Sequence, residues 1–494
     1  MLVILGFAMV LTFMTLIMTK RLTPMVALIV VPTIFGLFAG AGLGIGDMVI
    51  EAVGGLAGTA ALLMFAILYF GIMIDVGLFD PLVRLILRMA GGDPAKVVVG
   101  TALLAAAVSL DGDGSTTFIV TTAAMLPIYL KLGMSPVVLT CVAGLANGTL
   151  NIVPWGGPTI RAAAALDVSA TDIFVPMLPS LAAGLAVVLV FAWLLGLGER
   201  KRVLAGGSTL GELSGNGDLG GGFARSRTLS TAAGDLGGGF ARSRTLSTAA
   251  GDLAPVRRGG ILVPALVSAE TAEITVVRET MLEAERGTLR PRLIWVNLAL
   301  TVVVMVILVL DLVPLPYVFM VATAVALIIN FPRLKDQGDR IAAHAPNVIA
   351  VVSMILAAGV LIGVLNGTGM VDAMSSWLVA IIPTEMGPYL AVITGVLSIP
   401  MTFFMSNDAF YFGMLPVLAE SAATFGITPV EMARASITGQ PVHLQSPLVP
   451  AILLLVSLAK VNLGDHHKKV LWRAVVVSLV MLVVGVLTTA IPFG

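Results

Sequence analysis

The sequence predicts an all-α protein that crosses a membrane about ten times, and three observations carry that expectation. Hydrophobic residues fill 58% of 494 positions and charged residues only 11%, against the roughly 25% charge of an ordinary soluble chain. Uncharged apolar runs of the length a bilayer demands, about 20 residues, recur from end to end. The two halves of the chain also resemble one another across a polar middle. Twenty-eight Lys+Arg balance 28 Asp+Glu, which excludes a nucleic-acid binder with its basic excess. The apolar content excludes a disordered chain, and a soluble enzyme of this size would need far more surface charge. The single cysteine, Cys141, sits in an apolar run, where a small buried hydrophobe is expected rather than a disulfide or metal thiolate.

The runs cover 1–19, 22–46, 52–74, 132–160, 173–198, 293–310, 312–332, 345–371 and 474–494, with 435–459 broken only by His443. The first, MLVILGFAMVLTFMTLIM, lacks a basic n-region and a small-residue cleavage site. It therefore reads as a first transmembrane helix rather than a cleaved signal. Two pairs of shorter pieces, 97–110 with 114–130 and 386–407 with 409–419, are each interrupted by a polar tip. Each pair is expected as a re-entrant hairpin, spanning about 97–130 and 386–419, whose tip must face protein or a watery cavity.

Positive charge sets the orientation. With Lys20 and Arg21 placed in the cytoplasm, 13 of the 15 Lys+Arg outside residues 199–292 fall at cytoplasmic ends; Arg161 and Arg434 are the exceptions. Both termini are then expected outside, in a multi-pass plasma-membrane protein. Residues 199–292 hold 23 of the 56 charges and contain GDLGGGFARSRTLSTAA twice in tandem, from Gly217 and from Gly234. They predict a flexible cytoplasmic linker. Its Arg-x-Arg-x-x-Ser patterns end at Ser230 and Ser247, and a recent duplication in an unconstrained loop explains them more simply than phosphorylation. A helical stretch is expected from about Thr271 to Glu285.

Residues 1–198 and 293–494 align at an offset of 292–293: Pro24 with Pro316, Gly71 with Gly363, Gly77-Leu-Phe-Asp80 with Gly369-Met-Val-Asp372, Pro136 with Pro429 and Pro154 with Pro447. Each half carries three spans, a hairpin, a broken span (about 135–166 and 430–459) and a final span. An odd number of crossings inverts the second half relative to the first, the organisation of secondary transporters whose substrate lies where broken helices and hairpin tips meet.

Four polar clusters mark those places. The first tip reads Ser109-Leu-Asp-Gly-Asp-Gly-Ser-Thr-Thr117. Its glycines permit a tight turn, and Ser115, Thr116 and Thr117 open the descending arm, where free N–H groups favour an anion. Asp111 and Asp113 are costly inside a bilayer unless they bind a cation or a proton. The second tip, Met405-Ser-Asn-Asp408, offers Ser406, Asn407 and a lone carboxylate; Asp408 reads either as a functional group or as a helix N-cap. The first break spans Asn147 to Thr159, including Thr149, Asn151, Gly156 and Gly157, and two prolines free carbonyls and amides there. Arg161 follows, to fork onto a substrate carboxylate or to snorkel to the outer interface. The second break, Gly439-Gln-Pro-Val-His-Leu-Gln-Ser-Pro447, carries Gln440, Gln445 and Ser446. His443, the only histidine inside an expected span, reads as a proton relay or a structural residue. Arg434 is expected to pair with Glu431 at i,i+3; Asp75, Asp80 and Asp372 read as interfacial caps, and His466 and His467 as residues of a cytoplasmic loop with a weak metal signal.

At these motifs the chain resembles the citrate–divalent metal/proton symporter (CitMHS) family of the ion transporter superfamily. The resemblance covers nearly everything but the linker. It implies uptake of citrate complexed to Mg2+ or Ca2+ and coupled to protons, with the metal carried as cargo and no permanent cofactor. It further implies a homodimer with a fixed scaffold of spans one to three of each half and an elevator-type transport domain of hairpins and broken helices. The related divalent anion/sodium symporters use Ser-Asn-Thr at both tips, whereas here the tips read Asp-Gly-Ser-Thr and Ser406-Asn407-Asp408. The extra carboxylates favour metal or proton coupling over a sodium site. On this reading Ser115, Thr116, Thr117, Asn147, Thr149, Asn151, Gly156, Gly157, Thr159, Arg161, Ser406, Asn407, Gln440, Gln445 and Ser446 surround the substrate. Asp111, Asp113 and Asp408 carry protons or face the metal, and His443 relays protons. The rival within the superfamily is a sodium/proton antiporter or sugar-acid carrier. No Gly-x-Ser-x-Gly or His-Glu-x-x-His motif supports an enzyme.

Overall fold

The computed structural model describes residues 1–215 and 287–494, apart from Lys20, Gly91, Asp113 and Asp311. Asp113, the tandem duplication with Ser230 and Ser247, and the helix expected at 271–285 lie outside the described residues. Met1–Leu204 and Met281–Gly494 form one compact unit. All regular structure among the described residues is helical, with no strand.

The first half contains α1 (Leu2–Met18), α2 (Pro24–Phe38), α3 (Ile45–Gly55), α4 (Ala57–Asp75), α5 (Asp80–Ala90), α6 (Pro94–Val108), α7 (Gly114–Lys131), α8 (Pro136–Leu150), α9 (Gly157–Leu166), α10 (Ala170–Phe174) and α11 (Leu178–Gly215). The second contains α12 (Ile294–Leu310), α13 (Leu315–Asn330), α14 (Leu334–Gly367), α15 (Met370–Ile381), α16 (Leu390–Phe404), α17 (Leu415–Ala423), α18 (Pro429–Ser436), α19 (Gln440–His443), α20 (Pro450–Leu458) and α21 (Leu463–Leu487). Among the described residues seven helices are long and apolar enough to cross a membrane: Ala57–Asp75, Pro94–Asp111, Ala170–Leu204, Pro291–Leu310, Leu334–Gly367, Thr384–Phe404 and Leu463–Leu487. The apolar runs suggested more because prolines and glycines interrupt them: 22–46 yields α2, which stops short of Gly40, Gly42 and Gly44, and 132–160 is shared between α8 and α9. Leu11, Val302, Val306 and Val309 stay exposed on α1 and α12, a surface suited to lipid rather than water.

The helices pack in two sets. In one, α4 lies against α13 and α14, α14 also against α2 and α3, and α12 against α13. Buried Asn297 and Asn330 exchange amide hydrogen bonds of 2.9 Å across α12 and α13. In the other, α8 packs on α6, α7 and α21, α7 on α20, and α16 on α18 and α19. An aromatic group joins them: Trp155, just after α8, stacks on Phe70 of α4 and meets Phe319 of α13 edge-on, each at 5.2 Å.

Several expectations change. The arm Pro94–Asp111 is longer than its uncharged run because it starts at a capping residue: the Asp93 side chain accepts from Ala95 N at 3.0 Å. His466 and His467 are not in a loop; Asn462 caps α21 through Gly464 N and places both in its first turns, with His466 fully buried. His443 ends the four-residue α19 rather than sitting inside a long span, and the long apolar helices α14 and α21 instead carry His344, His466 and His467. Asp75 is more than a cap. It ends α4, where a negative charge opposes the helix dipole, and takes His344 Nε2 at 2.9 Å and Arg340 at 3.3 Å. Arg434 donates to the carbonyls of Asp172 and Ala490 instead of to Glu431. Glu431 is already engaged in a capping box with Thr428. Cys141 is fully buried, as expected.

Asp93 also pairs with Arg200 of α11. That hydrogen bond, with the Ala95 amide, holds its carboxyl below the usual aspartate range. Its contribution is therefore full above the unfolded value near pH 4 and fades as pH falls through the folded value. Asp93→Ala is expected to cost about 1 kcal/mol, the size of a lost N-cap. Thermal unfolding in detergent should show that deficit from pH 5 to 8 and a shrinking one in acid.

Candidate functional site

At the first tip, α6 tightens into a 3-10 turn at Ser109–Asp111 and the chain reverses at Gly112, whose φ of +79° suits glycine. A Cβ there would lie 3.0 Å from Trp155 Cδ1. Trp155 Nε1 donates to Leu110 O at 2.8 Å, which ties the tip to the first helix break. Asn147 Nδ2 and Thr117 Oγ1 donate to Ser109 Oγ at 2.9 and 3.3 Å. Asp111 is buried in the turn, while Ser115 and Thr116 sit half-buried in the first turn of α7.

The first break is residues 151–156, between α8 and α9. Thr159 Oγ1 reaches back to Ile152 O at 2.7 Å, and Gly156 N donates to Val153 O at 2.7 Å. A Cβ on Gly156 would fall 2.2 Å from Asn151 O, so only glycine closes this turn. One helical turn into α9, Arg161 gives one nitrogen to Gly157 O at 2.9 Å and turns Nε toward the second tip.

That tip follows α16. Met405 is extended, Ser406 Oγ accepts from Ala409 N at 3.2 Å, and a π-helical turn, Ala409–Met414, leads into α17. Asp408, 7% exposed, receives Arg161 Nε at 2.6 Å. Arg161 is thus not snorkelling outward but bridges the first break to the second tip. Beside the pair, Gln440 of α19 exchanges hydrogen bonds with Asn407 at 3.3 and 3.5 Å and accepts from Asn151 Nδ2 at 3.3 Å. Its Nε2 also donates to Tyr411 OH at 2.9 Å. Tyr411 OH in turn donates to Ser436 O at 3.3 Å.

Asn151, Arg161, Asn407, Asp408 and Gln440 therefore meet in one cluster built from both halves of the sequence. Asn147 lies next to it on α8, one residue before Gly148, where a Cβ would come within 3.0 Å of Pro441 Cα. Other expected residues face elsewhere. Thr149 returns its hydroxyl to Leu145 O and packs against Gly184 of α11. His443 donates Nδ1–H to Thr402 O at 2.6 Å, and Ser446 donates to Phe403 O at 2.6 Å, both anchoring the second break on α16. Gln445 turns toward α8 and α21. Among the described residues no three His, Cys, Asp or Glu side chains gather as a metal-binding group. Tyr411 and Ser436 escaped the sequence reading; the signal for Tyr411 was its place one turn beyond Asp408.

A family model described as citrate transporter matches residues 3–439. The chain belongs to the citrate transporter family. Over 493 residues, all of both chains, it is 45% identical to a citrate transporter of Bacillus subtilis (strain 168). It is 43% identical over 495 residues, again all of both chains, to the Mg(2+)/citrate complex secondary transporter of that organism. Among solved structures it is similar to the Alcanivorax borkumensis YdaH transporter, with 14% identity, TM-score 0.48, and coverage of 90% of this chain and 88% of that one. Family membership and the long apolar helices make the chain a multi-pass membrane transporter.

The two glycines after the first break make separable demands on this citrate transporter family member. At Gly156 a Cβ meets fixed backbone, whereas at Gly157 it meets only the Arg161 guanidinium, at 2.8 Å. Gly156→Ala should lower the yield of folded protein sharply, by an overpacking cost of about 1–3 kcal/mol or more. Gly157→Ala should fold normally and bind substrate more weakly. Size-exclusion profiles and binding on the two purified variants separate the effects.

Proposed function

We propose that the chain is a secondary symporter that carries citrate as its complex with a divalent cation, together with protons. The Arg161–Asp408 ion pair carries this reading. Citrate bound to a divalent cation keeps one net negative charge, far cheaper to desolvate than the trivalent anion. Arg161 faces the second tip as a cation, and a citrate carboxylate can accept the charge-assisted hydrogen bond that Asp408 accepts from its Nε. Substrate arrival then displaces Asp408, whose carboxylate takes a proton from the side the substrate came from. Asn151, Asn407 and Gln440 hold the remaining carboxylate and hydroxyl oxygens, with Ser115 and Thr116 at the first tip. The metal stays within the complex, with Asp111 and Asp113 as groups that approach it or carry further protons.

The relative described as a Mg(2+)/citrate complex transporter supports the metal. The aligned prolines and glycines of the two halves support inverted repeats that exchange conformations. On that arrangement the set containing α6–α9 and α16–α20 moves as an elevator against the set containing α1–α4 and α12–α14 in a homodimer. The linker lies in the cytoplasm and both termini lie outside.

Proteoliposomes holding the purified chain should accumulate labelled citrate only with Mg2+ or Ca2+ present, faster with an inward proton gradient. Uptake indifferent to both metal and gradient defeats the proposal. Asp408→Asn should leave uptake that no longer responds to the gradient, or abolish it. Arg161→Gln should raise the KM for metal–citrate by roughly 10–100-fold, the range of a charge-assisted hydrogen bond. An unchanged gradient response in Asp408→Asn removes that residue from coupling.

A further inference from the structure

Gln445 stands out because its polar atoms are already engaged. Its Nε2 donates to Gly144 O and Pro441 O, both at 3.0 Å. Those two carbonyls fix the orientation of the amide, so Oε1 must be the acceptor that faces His466 Nε2 at 3.1 Å. Its backbone carbonyl, freed by the helix break, takes His467 Nε2 at 2.8 Å, and its backbone N–H donates to Val442 O at 3.0 Å. Gly144 matches this arrangement, since a Cβ there would lie 2.6 Å from Gln445 Oε1.

The histidine pair sits at the start of α21, which packs against both α8 and α19. His466 is fully buried. An Nε2 that faces an amide oxygen must carry the proton, so a neutral His466 presents a bare Nδ1 to Thr140 Oγ1, 3.1 Å away on α8. Thr140 Oγ1 also lies 3.1 Å from Val137 O, and with Nδ1 bare its single hydroxyl proton is shared between that carbonyl and the ring nitrogen. One imidazole therefore links the helix that ends at the first break to the segment that forms the second.

We infer that His466 is a positioning residue for the substrate site: as the Nε2–H tautomer it holds Gln445, and through Gln445 it sets the path of the second break from Gln440 to Pro447. His467 fixes the same residue by its main chain. Gln445 is then a strut and not a substrate ligand. His466 touches neither Arg161 nor Asp408, and it acts on substrate only through the backbone that presents Gln440. The kinetic half of the test rests on the metal–citrate reading; the spectroscopic half does not.

The full chain is reconstituted and citrate uptake is measured with Mg2+. His466→Leu removes the donor and should raise KM about tenfold with little change in maximal rate. His466→Gln places an amide N–H where Nε2–H stood and should stay within about threefold of wild type. His466→Asn, whose amide reaches only the Thr140 side, should behave like leucine. Gln445→Leu should match His466→Leu, and the double variant should be no worse than the poorer single one. Equal kinetics in the Gln and Asn variants, or multiplied defects in the double variant, overturn the inference. Equal loss of folded protein in the Gln and Asn variants overturns it too, by showing that bulk rather than the donor matters. Independently, nitrogen-15 histidine solid-state NMR on the full chain, with the His466 signal identified by its loss in His466→Gln, should show the Nε2–H tautomer. An Nδ1–H signal overturns the inference whatever the chain transports. If wild type moves no citrate while the Nε2–H signal is present, the functional reading fails and the assignment of His466 stands.

Discussion

Backbone polar groups cannot be left unmet where water is absent, and the architecture around the site follows from that requirement. Each interruption of a helix frees carbonyls, and several of those at the tips and breaks are reached by side chains. Trp155 meets Leu110 O, Thr159 meets Ile152 O, His443 meets Thr402 O, Ser446 meets Phe403 O and His467 meets Gln445 O. These contacts run from break to tip, from the helix after the first break back onto it, from break to arm, or from the final helix to the break. The interruptions are thus mutually supporting, and moving one would strand acceptors on its neighbours at a cost of about 1–3 kcal/mol apiece. Glycines at 144, 148 and 439 let the backbones approach closely enough for this to work, since a Cβ at each would meet Gln445, Pro441 or Ser398.

Against that saturated frame the Arg161–Asp408 pair is different in kind. An ion pair mostly removed from solvent is poor value for stability, because desolvation offsets much of its attraction. Arg161 retains 21% side-chain exposure and Asp408 10%, so the pair lies at the edge of the buried cluster, where another anion can compete for the guanidinium. Neutral hydrogen bonds among Asn151, Asn407 and Gln440 run from 3.3 to 3.5 Å, long enough to be exchanged for a ligand's oxygens at small cost.

The fold class was legible because its signal is cumulative: long apolar runs with prolines and glycines at regular places in each half. The tips and breaks were legible for the same reason, as polar residues in apolar surroundings invite explanation. What composition could not give was direction. Arg161 had two roles open to it, and the choice depended on Asp408, which is 247 residues away. Thr149 and Gln445 sat in the right segments yet face α11 and α21, since a helix break does not announce which way its side chains turn. His466 was hidden by its charged neighbours, which made the start of α21 look like a loop when Asn462 had already begun the helix.

On the proposed transport reaction, the charge of the Arg161–Asp408 pair also bears on the form of the cargo. Empty, Arg161 and Asp408 sum to zero charge at their pair. A complex with one negative charge that displaces a protonated Asp408 leaves the sum at zero again, so neither loaded nor empty state carries uncompensated charge there. Free citrate at the same place would leave two negative charges unbalanced in a poorly solvated position, several kcal/mol against it at the least. Chelation by a divalent cation before entry removes that penalty without any added basic residue in the protein. Two further cations would be needed to balance free citrate, and a site carrying them would lose the selectivity for the complex. On that reaction the charge balance at the Arg161–Asp408 pair acts as a specificity device.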